Sequence, residues 1–128
     1  MRYANNLTFA LASGLVAGCL SLASNDAPAQ EKHAEAIKIY NTYCVQCHGV
    51  NRDGRGINSE HMSVQPRDHT DSKAMGDTPD DTLFKAIKEG GLAVSKSVLM
   101  PTWGGVLNDE QITQLVSYLR FISKTEKQ

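Results

Sequence analysis

Three residues near the middle of the chain stand close enough to act together: Cys44, Cys47 and His48, in the run Cys-Val-Gln-Cys-His. Two intervening residues set the thiols to the spacing of the two vinyl groups along one porphyrin edge. An imidazole directly after the second thiol can then reach the ring centre from below. The pattern predicts one covalently attached haem, haem c, held through Cys44 and Cys47 with His48 as an iron ligand. Two other chemistries also use paired cysteines. A zinc site wants four ligands, and His33, His61 and His69 show no second close-spaced pair. A thiol-disulfide oxidoreductase wants its cysteines at a helix start after a strand, whereas here a helical pattern closes on them.

Iron held by one histidine has a sixth position, and what fills it decides between electron transfer and ligand chemistry. Met100 is the candidate. Pro101 disfavours helix at Met100 and pushes it towards an extended conformation, which suits a loop presenting a thioether inward. Methionine also serves simply as core filler, and Met62 and Met75 are read that way or as loop residues. His61 and His69 are rivals without a supporting motif, and a lone loop histidine reads as solvated. The binding set is therefore Cys44, Cys47, His48 and Met100, with His48 and Met100 on the metal and no catalytic residue. Met/His ligation raises the potential, as a carrier requires, so the expectation is one-electron transfer rather than an enzyme. Two alternatives stand beside it: a haem subunit of a larger oxidoreductase, and a small-ligand haem sensor if Met100 is labile.

Few elements are needed to position these residues. From Glu31 to about Cys47, Ile37, Tyr40, Cys44 and Cys47 fall on one helical face. Residues 49–78 hold glycines, Pro66 and many polar residues without a sustained period, which predicts a long loop wrapped on a ligand. A second helix is signalled by Thr78 as N-cap, Pro79 at its first position, and Asp80 and Asp81 in the first turn. Leu83, Phe84 and Ile87 make its buried face, and Gly90-Gly91 stops it. Another loop, residues 92–107, carries Met100. The last helix starts at Asn108, with Gln111 as capping-box partner and Leu107 facing Ile112 as a hydrophobic staple. Ile112, Leu115, Leu119 and Ile122 then repeat at helical spacing, and no strand pattern or internal repeat appears.

The first 29 of the 128 residues read as a signal peptide. Arg2 is the positive end, residues 7–23 carry no charge, and Ala27-Pro28-Ala29 offers a cleavage site after Ala29. Residues 30–128 form the expected domain, exported to the periplasm. Val16-Ala17-Gly18-Cys19 also resembles a lipoprotein box, in which case a lipidated Cys19 anchors the protein to a membrane. An uncleaved anchor ranks last, since residues 7–23 lie at the short edge of a spanning helix. A domain of this size is near the lower limit for an ordinary core. The whole chain has only four Tyr, three Phe and one Trp, which leaves room for a large apolar prosthetic group. The formal charge of −1 excludes a nucleic-acid binder relying on a basic surface.

With Cys44-Val45-Gln46-Cys47-His48, Met100-Pro101 and a capped final helix, residues 31 to about 123 resemble a monohaem class I cytochrome c of the bacterial type. The resemblance implies an all-α fold, three main helices and long loops around one haem, with the first and last helices crossing near one haem edge. It implies that Ala36, Tyr40 and Tyr118 meet at that crossing as structural residues. Redox-protein partners are expected to meet the exposed haem edge, with Val45, Gln46 and residues 96–103 at the rim, where Lys96 and Lys88 read as ordinary solvated surface or as charges that guide an acidic partner. Family members often carry Gly-x-Gly-Pro in the first loop, where a backbone carbonyl accepts the proximal imidazole N–H. Here the run is Gly54-Arg55-Gly56-Ile57, so the acceptor is left open.

Overall fold

The computed structural model describes residues 30–125. The leader with Cys19 and its cleavage readings, and residues 126–128, lie outside them. The described elements are α1 (Ala34–Tyr43), α2 (Val45–His48), a 3₁₀ turn (Ser59–His61), α3 (Ser72–Gly76), α4 (Asp80–Glu89), a second 3₁₀ turn (Gly91–Val94) and α5 (Asp109–Thr125). No strand occurs among the described residues, and none of their helices is long and apolar enough to cross a membrane. The fold is the all-α arrangement expected, with α1, α4 and α5 as its main helices.

The solid part of the core lies where α1 meets α5. Ile112, Leu115, Leu119 and Ile122 are buried as their spacing requires, joined by Val116 and Tyr118 on the same helix and by Ala36, Ile39 and Tyr40 of α1. Ile37 is half-buried against this cluster. The small side chain of Ala36 is fully covered, and the rings of Tyr40 and Tyr118 meet edge to face with centroids 5.8 Å apart. That geometry places the positive ring edge on the negative face, worth about 1 kcal/mol beyond simple burial. The three residues expected at the crossing are therefore all there.

The reciprocal cap of α5 is also present. Asn108 N–H donates to Gln111 Oε1 at 3.1 Å, and Gln111 N–H donates to Asn108 Oδ1 at 2.9 Å. Leu107 and Ile112, the two staple residues, are both buried. Two donors at the helix start are satisfied locally, so the helix can begin at the surface without help from the core.

Three boundaries differ from the sequence reading, each for a local reason. First, the helix expected over 31–47 is interrupted at Cys44, a turn residue between α1 and α2. Second, α4 is capped by Pro79, not Thr78. Pro79 is extended (φ −60°, ψ 153°), and its carbonyl accepts the N–H groups of Thr82 and Leu83 at 3.1 Å. Thr78 is engaged elsewhere, its hydroxyl donating to the Ala74 carbonyl at 2.9 Å. Third, the span 49–78 is not structureless. Asp71 caps α3 by accepting from Lys73 and Ala74 N–H at 3.0 and 3.1 Å, a cap legible in Asp-Ser-Lys-Ala-Met but not read. On α4, Leu83 and Ile87 are buried as expected. Phe84 is only half-buried, with the Lys88 ammonium 5.5 Å from its ring centre.

Arg120 of α5 ties these pieces together. Its Nε bonds Asp80 Oδ1 at 2.6 Å, while its two η nitrogens donate to the carbonyls of Met75 and Thr78. One guanidinium thus satisfies the end of α3, the connection and the start of α4, using the fixed fork geometry that lysine lacks. At the other end of α4, Gly90 has φ +86°, the left-handed region where only glycine is free of strain, and the helix stops there.

Candidate functional site

Between the α1–α5 core and the loops lies one large cavity, of about 980 Å³, near the top of the size range of ligand sites. Leu83 and Ile87 of α4 and Leu115 and Leu119 of α5 form part of its apolar wall. Cys44, Cys47, His48 and Met100 all line it, so the four residues singled out from sequence come to one place. They arrive from two separate segments, the α1–α2 junction and the loop after the second 3₁₀ turn.

The junction is held by the chain that follows it. Gly54 N–H donates to the His48 carbonyl at 3.0 Å, Gly56 N–H to the Cys47 carbonyl at 3.0 Å, and Asn58 N–H to the Gln46 carbonyl at 2.8 Å. These are the carbonyls that a helix ending at His48 would otherwise leave without partners. The approach is so close that a Cβ on Gly56 would overlap the backbone carbonyls of both Gln46 and Cys47. The glycine pair is thus a latch on the cysteine motif, and it needs no proline after it.

His48 is oriented by a different segment. Its Nδ1 lies 3.0 Å from the Arg67 carbonyl oxygen. A carbonyl can only accept, so Nδ1 carries the proton and, in the neutral ring, Nε2 keeps its lone pair. The proximal acceptor left open by the missing Gly-x-Gly-Pro is Arg67, just after Pro66. Burial lowers the imidazole pKa from its ordinary value, and the bond to Arg67 opposes that only in part. A neutral imidazole with a free Nε2 is the form that ligates metal.

The two thiols are free and half-buried. Desolvation first, and then the neighbouring Cys47, push the Cys44 thiol up to about 12. A buried thiolate is costly here, whereas a thioether carries no charge and is suited to the same wall. This counts against redox exchange through a reactive thiolate, and the pair also follows a helix rather than a strand. Among the described residues, no three His, Cys, Asp or Glu side chains gather where they could hold a bare metal ion.

Met100 is presented by a tightly bonded loop. Gly91 N–H donates to the Met100 carbonyl at 3.1 Å and Met100 N–H to the Ser97 carbonyl at 3.3 Å. Beyond it, Trp103 N–H and Gly104 N–H donate to the Ile87 and Lys88 carbonyls at 3.0 and 2.9 Å, fixing the loop to the end of α4. The half-buried Met100 side chain packs against the core cluster. Met75 is completely buried as core and lies off the cavity wall, which removes it as a rival ligand. Met62 does line the cavity. His61 is exposed, but His69, read as solvated, is buried on the cavity wall. The thiols, the imidazole, a thioether and the apolar wall are the donor set and surroundings that a covalently bound haem requires.

Other contributors were not anticipated. Arg52 has φ +62° and lies where the loop passes the α1–α5 crossing. Its Nε donates to the Tyr118 hydroxyl at 2.6 Å, and its guanidinium sits 5.6 and 5.7 Å from the ring centres of Tyr40 and Tyr118. Nothing in the local run around Arg52 signals a contact 66 residues away in sequence. Of the rim residues expected, Gln46 and Lys96 are exposed, while Val45 is half-buried against the core. Lys88 is not a free guiding charge, since its ammonium pairs with Asp109 at 2.7 Å.

Residues 31–119 match the family model described as cytochrome c oxidase, cbb3-type, subunit III. No curated protein sequence and no solved structure matches significantly.

Gly56→Ala should disturb the latch on the cysteine motif. Forcing the Gln46 and Cys47 carbonyls aside is an overpacking change of about 1–3 kcal/mol. It should appear as a lower denaturation midpoint at an unchanged m-value, in urea unfolding of the haem-loaded protein.

Proposed function

The chain belongs to this c-type cytochrome family and carries covalently bound haem c, and from that premise we propose that it is a single-haem electron carrier with His48 and Met100 as axial ligands. The observation that carries the proposal is the convergence of Cys44, Cys47, His48 and Met100 on the one large cavity. Cys44 and Cys47 are the thioether attachment points. Haem c supplies an iron that cycles between ferrous and ferric.

The chain's own residues make that cycle cheap. Arg67 fixes the protonated nitrogen of His48 and so aims Nε2 into the cavity. The bond from Gly91 N–H and the bond to the Ser97 carbonyl hold the Met100 backbone in both oxidation states. Leu83, Ile87, Leu115 and Leu119 exclude water, so little solvent must reorganise when one electron moves. No substrate is transformed, and no residue is assigned a proton-transfer or nucleophilic role. Donor and acceptor proteins meet the edge near Gln46, Lys96 and Leu99, which are exposed, and Lys96 has no ion pair among the described residues.

A second reading is favoured by the family description, which names an oxidase subunit. In that reading the chain is a fixed haem subunit of a larger oxidoreductase, with the same ligands and the same reaction. Export through residues 1–29 serves both readings, since haem c proteins with such a leader work outside the cytoplasm. A lipidated Cys19 would keep the protein on a membrane.

Three outcomes test these readings. Met100→Ala should abolish the far-red sulfur-to-iron band of the ferric protein and lower its reduction potential, while Met62→Ala keeps both; the reverse result would make Met62 the ligand. Mass spectrometry of the mature protein should give an amino terminus at Gln30 carrying haem and no lipid, and a diacylated Cys19 terminus would overturn that cleavage site. Purified from its native membrane and soluble fractions, the carrier should elute as a free monomer, whereas stable co-elution with oxidase or dehydrogenase subunits would establish the fixed-subunit reading.

A further inference from the structure

His69 is a buried imidazole that neither haem attachment nor metal ligation uses. Its ring lies flat against that of His48, with centroids 4.3 Å apart and planes inclined by 17°. Its Nδ1 is 3.0 Å from the Tyr40 hydroxyl, and the two share a hydrogen bond. Its backbone N–H donates to the Arg52 carbonyl at 2.8 Å. The turn that carries it is closed by Asp68, whose Oδ1 accepts from Thr70 N–H at 2.7 Å and from the Thr70 hydroxyl at 2.6 Å.

A ring joined to its backbone at Cβ and held at one nitrogen can still rock about the line through those two points. The bond from His48 Nδ1 to the Arg67 carbonyl supplies only that edge constraint. The missing constraint is on the face of the ring, and His69 occupies that face. Residues 67–69 therefore grip His48 twice, by a carbonyl at its edge and by an aromatic plane at its side. The grip is anchored to Tyr40, on the helix that leads into the cysteine motif, and through the Tyr40–Tyr118 contact to α5.

We propose that His69 is a positioning residue that sets the orientation of the His48 imidazole plane, and that the Tyr40 hydroxyl holds His69 in place to do so. The inference rests on His48 being the proximal ligand. An axial imidazole plane fixes the direction in which ligand orbitals overlap the iron, so its angle is written into the electronic anisotropy of the ferric state. Whether the protein transfers electrons to one partner or another does not enter.

The test uses the haem-loaded protein. In the ferric state, the proton hyperfine shifts of the four haem methyl groups report the axial ligand planes, independently of activity. His69→Ala should change the spread and order of the methyl shifts and move the reduction potential. His69→Phe, which keeps a flat ring against His48 but loses the Tyr40 bond, should restore the order in part. Tyr40→Phe should shift the pattern in the same direction as His69→Ala and by less. A His69→Ala protein that keeps the far-red band and the wild-type methyl order would overturn the proposal. Should His69→Ala fail to assemble, a wild-type methyl pattern in the milder Tyr40→Phe protein would overturn it instead. Loss of the His48 signature from the unmodified protein would instead refute the ligand assignment itself, so the two failures are distinguishable.

Discussion

The crossing of α1 over α5 is the contact on which the remaining structure depends. There Ala36, Ile39 and Tyr40 of α1 are buried with Ile112, Leu115, Val116, Tyr118, Leu119 and Ile122 of α5 in one apolar cluster. Ala36 lets the helices approach, and the edge-on Tyr40 and Tyr118 rings fill the junction. The loop after the cysteine motif is then tied to this point through Arg52, and the segment that orients His48 through Tyr40 and His69. A change at the crossing therefore reaches His48 through two short chains of contacts.

The wall that carries Met100 is organised on another basis. Few side chains from the Met100 loop enter the core, and backbone hydrogen bonds to the end of α4 hold it. Arg120 performs a comparable service lower down, where α3, the Thr78 connection and Asp80 converge on one guanidinium. Loops that wrap a prosthetic group cannot rely on mutual burial. They are fixed instead by satisfying their own backbone, which is also what keeps buried polar groups from penalising the fold. The contrast suits a c-type haem electron-transfer protein, in which both axial sides must stay put through a change of charge.

Much of this was legible in the sequence, and the residues show why. The Asn108–Gln111 box and the Ile112–Ile122 spacing are local patterns, encoded within a few residues of one another, and both appear as read. One misreading concerns a choice between adjacent candidates. Thr78 and Pro79 are both plausible caps, and the decision came from Ala74, whose carbonyl had already engaged the threonine hydroxyl. What could not be read were contacts between distant segments: Arg52 with Tyr118, the Arg67 carbonyl with His48, and His69 with Tyr40. The proline-containing pattern pointed to the first loop for the proximal acceptor. The chain instead spends Gly54 and Gly56 on latching the motif and brings up a later segment to orient the histidine.

Trp103, the chain's single tryptophan, stands on the cavity wall with its ring 5.1 Å from that of Tyr43, at the end of α1. An indole in that position has the cofactor for a neighbour whenever the cavity is filled. Its emission is therefore a built-in gauge of maturation, brighter in the haem-free chain and quenched by energy transfer once the porphyrin is in place. Loading of the protein can be followed in real time by this one side chain, with no label added and no residue changed.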